Sequence, residues 1–188
     1  FDTLPDAWEA ANGRDPIVAD YQVIGGGEHT CALDDNGLHC WGYNNYGVTV
    51  VPTDLVNPVV VSSGNGHTCV IDDNGLRCWG YNDYGQTDVP TYLLNPKAVT
   101  ARSNHTCAID DNGIICWGNN NNGQGTVPTD LVNPVTVAVG GLHTCALDDN
   151  GMHCWGYNNI GQTDVPTDLV NPVAVNAGSY HTCAIDDN

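Results

Sequence analysis

The residues in this chain that could do chemistry are cysteines, histidines and paired aspartates, and they recur together along the sequence. His-Thr-Cys begins every 38 residues, and Asp-Asp follows each triplet after two intervening residues. The five triplets lie at 29–31, 67–69, 105–107, 143–145 and 181–183. Such side chains can form disulfides, bind metal ions or transfer protons. Because the copies are alike, no single set stands out as a catalytic centre.

The repeated histidines and aspartates are better interpreted as structural than as a metal or acid–base site. We expect each imidazole to hydrogen-bond to backbone near the junction of two units, and each Asp-Asp to bond local backbone in a turn. A calcium ion takes about six to eight oxygen ligands, which is more than one turn offers. A glycosidase needs one carboxylate pair that differs from the others. We therefore predict no catalytic residue and no enzyme.

Four pairs of cysteines are each separated by eight residues, a spacing that fits the two arms of a β-hairpin. If the first hairpin turns about Asp35-Asn36, Cys31 and Cys40 lie directly opposite each other at close approach. If it turns about Asn36-Gly37, they become diagonal neighbours and a bridge is harder. The alternative is a set of small buried hydrophobic residues in a reducing compartment.

We expect disulfides, because 9 Cys in an acidic chain with few lysines fit an oxidising compartment. The predicted bridges join Cys31 to Cys40, Cys69 to Cys78, Cys107 to Cys116 and Cys145 to Cys154, and they leave Cys183 unpaired. The protein is accordingly predicted to be secreted or displayed on a cell surface.

Short β-strands must position these residues. Residues 58–63 form a β-branched run that starts at a proline, which suits the beginning of a strand. Asp-Asn-Gly between two apolar segments is a strong hairpin signal, because Asn and Gly tolerate the positive φ of tight turns. The polar stretch 81–90 is typical of a loop, and no window within the repeated units shows helical periodicity. Three or four strands per 38 residues predict an all-β fold of propeller blades.

The repeated string Val-x-x-Gly-x-x-His-x-Cys-Ala-x-Asp-Asp-x-Gly, followed by Trp-Gly-x-Asn-x-x-Gly-Gln, resembles the regulator-of-chromosome-condensation repeat. The resemblance covers residues 18–188 and implies a β-propeller, usually of seven blades. The short blades look most like those of secreted bacterial members, which include a propeller that inhibits β-lactamase. Val48 departs from the pattern, since the other units carry Gln at that position. The family hosts nucleotide exchange, photoreception and inhibition, so the resemblance alone does not give the function.

The repeat divides the chain into a preface and a series of units. The predicted ranges are 1–17 for the preface, then 18–55, 56–93, 94–131 and 132–169 for the full units and 170–188 for a half unit. Four and a half units are too few for the usual ring, and the propeller is therefore predicted to be incomplete in this chain. We expect a piece of a longer polypeptide; the alternative is that copies complete each other's blades, for example in a filament.

The preface resembles the second half of an EF-hand-like calcium loop of the bacterial Asp-x-Asp-x-Asp-Gly-Leu-Pro-Asp-x-Trp-Glu type. On that alignment the ligands are Asp2, the carbonyl of Leu4, Asp6 and Glu9. Thr3 stands where the family has Gly, and two acidic ligands would precede Phe1. A short capped helix that begins at Pro5 is the simpler interpretation. Calcium at this segment is the one cofactor that the sequence suggests.

Composition excludes several partners. The chain carries 22 Asp plus Glu against 4 Lys plus Arg, a formal charge of −18. Four scattered cations cannot form the basic stripe that nucleic acid requires, and they give no attraction to anionic lipid. No run of about 18 apolar residues is present, so no membrane-spanning helix is predicted.

Differences between the units are where recognition could reside. The positions just before each His and five residues after each Trp vary, and exposed Tyr among Asn and Gly suits an adaptable binding surface. Neutral drift explains the same variation. The candidate binding residues are Glu28, Tyr46, Tyr84, Leu142, Ile160 and Tyr180.

We predict a non-catalytic extracellular module that binds a protein partner or itself, either alone or as part of a larger surface protein or fibre. The alternative is a secreted enzyme inhibitor similar to the β-lactamase-inhibiting propeller, and the third is an unrecognised enzyme. Direct binding of nucleic acid and insertion into a membrane are not expected.

Overall fold

The computed structural model describes residues 22–34 and 36–187, and this part of the chain contains strands and turns without a helix. Its fourteen strands are β1 Gln22–Gly25, β2 His29–Asp34, β3 Gly37–Gly42, β4 Val60–Ser63, β5 His67–Asp72, β6 Gly75–Gly80, β7 Ala98–Arg102, β8 His105–Asp110, β9 Gly113–Gly118, β10 Thr136–Val139, β11 His143–Asp148, β12 Gly151–Gly156, β13 Pro172–Ala177 and β14 Thr182–Asp186. The predicted all-β class is confirmed.

The strands form separate antiparallel sheets, one for each repeat. Four sheets have three strands in sequence order and the last has two, β13 and β14. The first strands of the five sheets, β1, β4, β7, β10 and β13, line one cavity, which marks the axis of the molecule. The repeats are therefore blades set around an axis, with the third strand of each full blade at the outside, and three strands per blade rather than four.

Each hairpin between the second and third strand turns about Asp-Asn, which decides between the two registers considered above. In the second blade Asp72 pairs with Gly75, so Asp73 and Asn74 form the turn. The Oδ1 atom of Asp72 accepts a hydrogen bond from the backbone N–H of Asn74 at 2.8 Å. Gly75 follows the turn with a φ of 107°, a value that residues with a side chain rarely adopt.

This register places the hairpin cysteines directly opposite each other. Cys31 pairs with Cys40, and their Cα atoms are 4.1 Å apart. The structure joins all four predicted pairs, at Cys31–Cys40, Cys69–Cys78, Cys107–Cys116 and Cys145–Cys154. Cys183 is free and exposed. Each bridge closes a short loop and contributes roughly 2–3 kcal/mol in the chain-entropy model.

The Asp-Asp pairs anchor more than their own turns. The Oδ2 atom of Asp72 accepts a hydrogen bond from the backbone N–H of Val56 at 2.9 Å, and Asp73 accepts one from the side chain of Asn57 at 2.6 Å. Asn57 has a φ of 49°, and it leads into Pro58, two residues before β4 begins. The same bonds recur 38 residues later at Leu94 and Asn95. Both carboxylates therefore hold the loop that enters the blade, sixteen residues earlier in the chain.

The core lies between adjacent blades. The cluster between the first two blades contains Cys31, Leu33, Leu38, Val61 and Val70. Two further clusters repeat this arrangement around Cys69 and Cys107. Every cluster joins side chains of one blade to the first strand of the next, so a blade buries its apolar face only beside a neighbour.

Several predictions fall outside the described residues. The preface 1–17, its short helix and the calcium ligands Asp2, Leu4, Asp6 and Glu9 all lie there. The unit boundaries also stay predictions. Among the described residues, no helix is long and apolar enough to cross a membrane.

Candidate interaction face and the blade junctions

The repeated histidines join one blade to the next. The Nε2 atom of His67 lies 2.9 Å from the hydroxyl oxygen of Thr106 in the following blade. His29, His105 and His143 make the same contact with the threonine 39 residues further on. The sequence-based expectation of a backbone partner was therefore wrong. The imidazole reaches across the junction because the His of one blade and the Thr of the next face each other there.

The threonine hydroxyl donates in turn to a buried carbonyl. Thr106 donates to the carbonyl oxygen of Gln86 at 3.0 Å, and the indole N–H of Trp117 donates to the same oxygen at 3.0 Å. Since the threonine proton is used for this bond, the imidazole of His67 must donate from Nε2, which leaves Nδ1 without a proton. This Nδ1 is buried and has no hydrogen-bond partner among the described residues.

Burial keeps these imidazoles neutral. The pKa of His67 falls to about 4, mainly because burial penalises the charged ring and to a smaller extent because His29 is near. The pKa of His105 falls to about 3, again mainly through burial. Protonation would place a second N–H where no acceptor is available. Within the described residues no group of His, Cys, Asp and Glu is arranged to hold a metal ion.

Val48 departs from the repeat and keeps only part of the junction. The indole N–H of Trp79 donates to the carbonyl of Val48 at 2.9 Å, as Trp117 does to Gln86. The glutamine side chain has a separate role, since Oε1 of Gln86 accepts the backbone N–H of Tyr84 at 3.0 Å. The carbonyl of Val48 keeps the bond from the indole, but the hydroxyl of Thr68 does not donate to it as Thr106 does to Gln86. The valine side chain also lacks the contact to the loop.

The loops after each Trp-Gly are held by their own polar side chains. In the second blade, Oδ1 of Asn82 accepts the backbone N–H of Thr87 at 2.9 Å, and its Nδ2 donates to Asp88 at 2.7 Å. Together with the Gln86 contact, these bonds fix the loop that carries Tyr84. The loop therefore presents its tyrosine from a rigid support, which reduces the entropy lost on binding.

Three tyrosines form a cluster on the face of the molecule that carries these loops. The ring centroids of Tyr46 and Tyr81 are 4.7 Å apart, and those of Tyr81 and Tyr84 are 6.3 Å apart. We call Tyr46, Tyr81 and Tyr84 the tyrosine cluster. Tyr46 is 53% exposed and Tyr84 is 44% exposed. Burial, followed by a hydrogen bond with Asp83, raises the pKa of Tyr81.

The tyrosine cluster borders a cavity of about 510 Å³. Tyr46 and Tyr81 line it together with Glu28, Asn65 and Asn104 from three different blades. A ring of Tyr46 lies only 3.5 Å from a Cβ placed on Gly66, which shows how closely the loop of one blade approaches the next. The loop after Trp-Gly in one blade and the residues before His in the following blade therefore form one continuous surface.

Five of the six candidate binding residues lie in or beside one of two cavities, and the sixth lines neither. Glu28 and Tyr46 share the cavity just described, and Tyr84 joins them through Tyr81. Ile160 and Tyr180 line a second cavity of about 300 Å³ between the fourth and fifth blades. Leu142 lines neither cavity.

Tyr81 is the residue that sequence reasoning missed. It directly follows Trp-Gly, and the equivalent positions 43, 119 and 157 carry Tyr, Asn and Tyr. This variation between blades could have marked position 81 as a candidate binding residue.

Comparison with protein families identifies the repeat. The model of the regulator of chromosome condensation (RCC1) repeat matches residues 23–48, 59–86, 97–124 and 135–162, more than half of the chain. The chain belongs to the RCC1 repeat family. Each match includes the His, the cysteine pair and the Trp of one blade, so the junction and the hairpin disulfide fall within the family repeat. A comparison with curated protein sequences gives no match.

Solved structures share the fold of this RCC1 repeat chain. The ectodomain of the receptor kinase CR4 from Physcomitrella patens is 26% identical, with a TM-score of 0.72 over 93% of this chain and 50% of its own. The ectodomain of ACR4 from Arabidopsis thaliana is 23% identical, with a TM-score of 0.69 over 88% of this chain and 60% of its own. Prp20p from Saccharomyces cerevisiae is 17% identical, with a TM-score of 0.74 over 92% and 58%.

These neighbours confirm the predicted RCC1-type propeller. This chain spans between 50% and 60% of the length of the three neighbours described.

Proposed function

We propose that this RCC1 repeat chain is an extracellular protein-interaction module that binds its partner with the tyrosine cluster and the surrounding cavity. The observation that carries the proposal is the contrast between the conserved scaffold of the blades and the cluster. The junction residues repeat in every blade, whereas Tyr46, Tyr81 and Tyr84 meet only at the first two blades. Exposed, rigidly held tyrosines bury a large area at low entropic cost.

Two observations support an extracellular setting. Four hairpin disulfides connect eight of the nine cysteines, and stable disulfides belong to oxidising compartments. Two of the structural neighbours are receptor ectodomains.

The class of partner is supported by another neighbour. For Prp20p, binding to Gsp1p and histones is described, which supports a protein as the class of partner. Self-association is the other form that such an interaction can take.

The experiment screens the chain against a panel of secreted and surface proteins from its source organism, with a second copy of the chain included. The test variant is the double substitution Tyr46→Asn and Tyr84→Asn. Asparagine is already present at the equivalent position 122, so the loop accepts it. The matched control is Tyr92→Asn, which changes a tyrosine that is 67% exposed in the loop entering the third blade.

A partner of the tyrosine cluster should bind the wild type and Tyr92→Asn alike. Its Kd should rise at least about tenfold in the double variant, since two contact tyrosines contribute more than 1 kcal/mol. Equal binding by the double variant and the wild type would overturn the proposed surface. Failure of the whole panel, with the chain folded, would overturn the proposed function.

A further inference from the structure

Arg102 replaces a glycine that the other four blades share. Three residues before each repeated His the chain has glycine in the first, second, fourth and fifth blades, at Gly26, Gly64, Gly140 and Gly178. A Cβ on Gly64 would lie 2.2 Å from the ring of His67, and the other three glycines are equally tight. The repeat thus disfavours any side chain here, and the third blade carries one of the largest.

The third blade accommodates Arg102 by a different turn. Its first strand is extended so that Arg102 pairs with His105, which leaves a two-residue turn of Ser103 and Asn104. Ser103 has a φ of 45°, a conformation that costs a residue with a side chain about 1 kcal/mol. None of the equivalent residues 27, 65, 141 and 179 has a positive φ. The third blade therefore holds a strained turn that presents an arginine.

Arg102 is also the one described cation without a carboxylate beside it. Arg77 pairs with Asp54, and Lys97 pairs with Asp111 at 2.8 Å. The side chain of Arg102 makes no hydrogen bond or ion pair with the described residues. Its charge acts on the fourth blade, since it contributes to lowering the pKa of His143 after the larger effects of burial and His181. The guanidinium is available to an external anion.

The surroundings of Arg102 are polar and contain an unused hydroxyl. Arg102 lines two neighbouring cavities on the axis, of about 160 Å³ and about 230 Å³, and Ser63 lines both of them as well. Ser63 is 5% exposed, and its hydroxyl has no hydrogen-bond partner. Asn65 and Ser179 line the smaller cavity too, and no Asp or Glu of residues 22–34 or 36–187 lines either one. In a chain with a charge of −18, this is a local site that favours an anion.

We propose that Arg102 and Ser63 form a carboxylate-binding site on the axis of the molecule. A guanidinium offers two parallel N–H groups that match the two oxygens of a carboxylate, and the hydroxyl of Ser63 supplies a further donor. A single cation suits a singly charged group better than a phosphate. The carboxylate belongs either to a free small organic acid or to the terminus or a side chain of a peptide. This site does not depend on the proposed protein partner.

The test uses the full 188-residue chain and acetate as the probe, at pH 7 and constant ionic strength. NMR of ¹⁵N-labelled protein follows the side-chain Nε–Hε signals of Arg102 and Arg77 and the backbone amides of 25–27 and 65. We expect saturable shifts at Arg102 and at these amides, with a Kd on the order of 1 mM, and no saturable shift at Arg77.

Three variants locate the contact. Arg102→Gly restores the residue that the other blades carry, so the variant is expected to fold, and the saturable amide shifts should disappear. Arg102→Lys keeps the charge without the planar fork and should weaken binding several-fold. Ser63→Ala should weaken it by a smaller factor of roughly three, the value of one neutral hydrogen bond. Arg77→Gln is the control and should bind acetate as the wild type does.

Unchanged amide shifts in Arg102→Gly, or shifts of Arg102 and Arg77 that grow together without saturating, would overturn the site. Saturable binding of inorganic phosphate without binding of acetate would overturn the assignment to carboxylate. Triglycine and its C-terminal amide then distinguish a peptide carboxylate from a free organic acid. Binding of the free acid but not of the amide indicates that a peptide terminus fits, and binding of acetate alone indicates a free acid.

Discussion

Acidification between pH 7 and pH 5 should destabilise the protein through its junction histidines. In the folded state the pKa of His67 is about 4 and that of His105 about 3, whereas in the unfolded chain both return to about 6.5. In this pH range the unfolded state therefore binds more protons than the folded state, and the free energy of unfolding falls as the pH falls. Above about pH 7.5 these histidines no longer lower the free energy of unfolding.

The size of this loss of stability can be estimated at pH 5. At pH 5 each unfolded imidazole is 1.5 pH units below its pKa, while the folded ones remain neutral, so each costs about 2 kcal/mol. His67 and His105 together should lower the free energy of unfolding by about 4 kcal/mol between pH 7.5 and pH 5.

Urea unfolding at several pH values, followed by tryptophan fluorescence with the disulfides intact, measures this loss. His67→Gln keeps an N–H donor for Thr106 and removes the titration, so it should reduce the loss between pH 7.5 and pH 5 by about 2 kcal/mol. His39→Gln changes an imidazole whose side chain is 56% exposed and serves as the control. A free energy of unfolding that is the same at pH 7.5 and pH 5, or equal pH dependence in the wild type and His67→Gln, would refute the reasoning.

Four further predictions concern the scaffold. Thiol titration in denaturant should find one reactive thiol, Cys183, before reduction and nine after it; nine from the start would refute the bridges. Replacing Cys69 and Cys78 by Ala should lower the free energy of unfolding by roughly 2–3 kcal/mol, and an unchanged urea midpoint would contradict this. Asp110→Ala removes acceptors for two backbone N–H groups and should cost about 2–3 kcal/mol, whereas Asp110→Asn should cost less; equal costs would count against the carboxylate contacts. Gln86→Val should cost about 1 kcal/mol in urea unfolding, and a much larger loss would show that the junction itself had been disturbed.

The blades could be predicted because the residues that indicate them lie close together in the chain. The Asp-Asn-Gly turn, the apolar segments and the cysteine spacing all lie within one hairpin. They predicted the hairpin and its disulfide, and they left two strand registers open. The choice between registers came from the pairing of Asp72 with Gly75.

Contacts between blades were harder to predict. The His–Thr bond joins residues 39 apart, and its partner can be identified only once the orientation of neighbouring blades is known. Arg102 was visible in the aligned repeats as a departure from glycine, but its meaning depends on the tight contact between glycine and the imidazole in the other blades.

The junction bonds also have an evolutionary consequence. The junctions reuse bonds between residues at separations of 39, 31 and 20 along the chain, and only the first junction lacks the bond over 20 residues among the described residues. Duplicating a segment of 38 residues inserts one further blade and creates a junction whose donors and acceptors already match. Deleting such a segment joins two blades that are equally well matched. A gene with this repeat can therefore gain or lose blades in single recombination events without first adapting any contact, and the number of blades can change faster than the sequence of a blade.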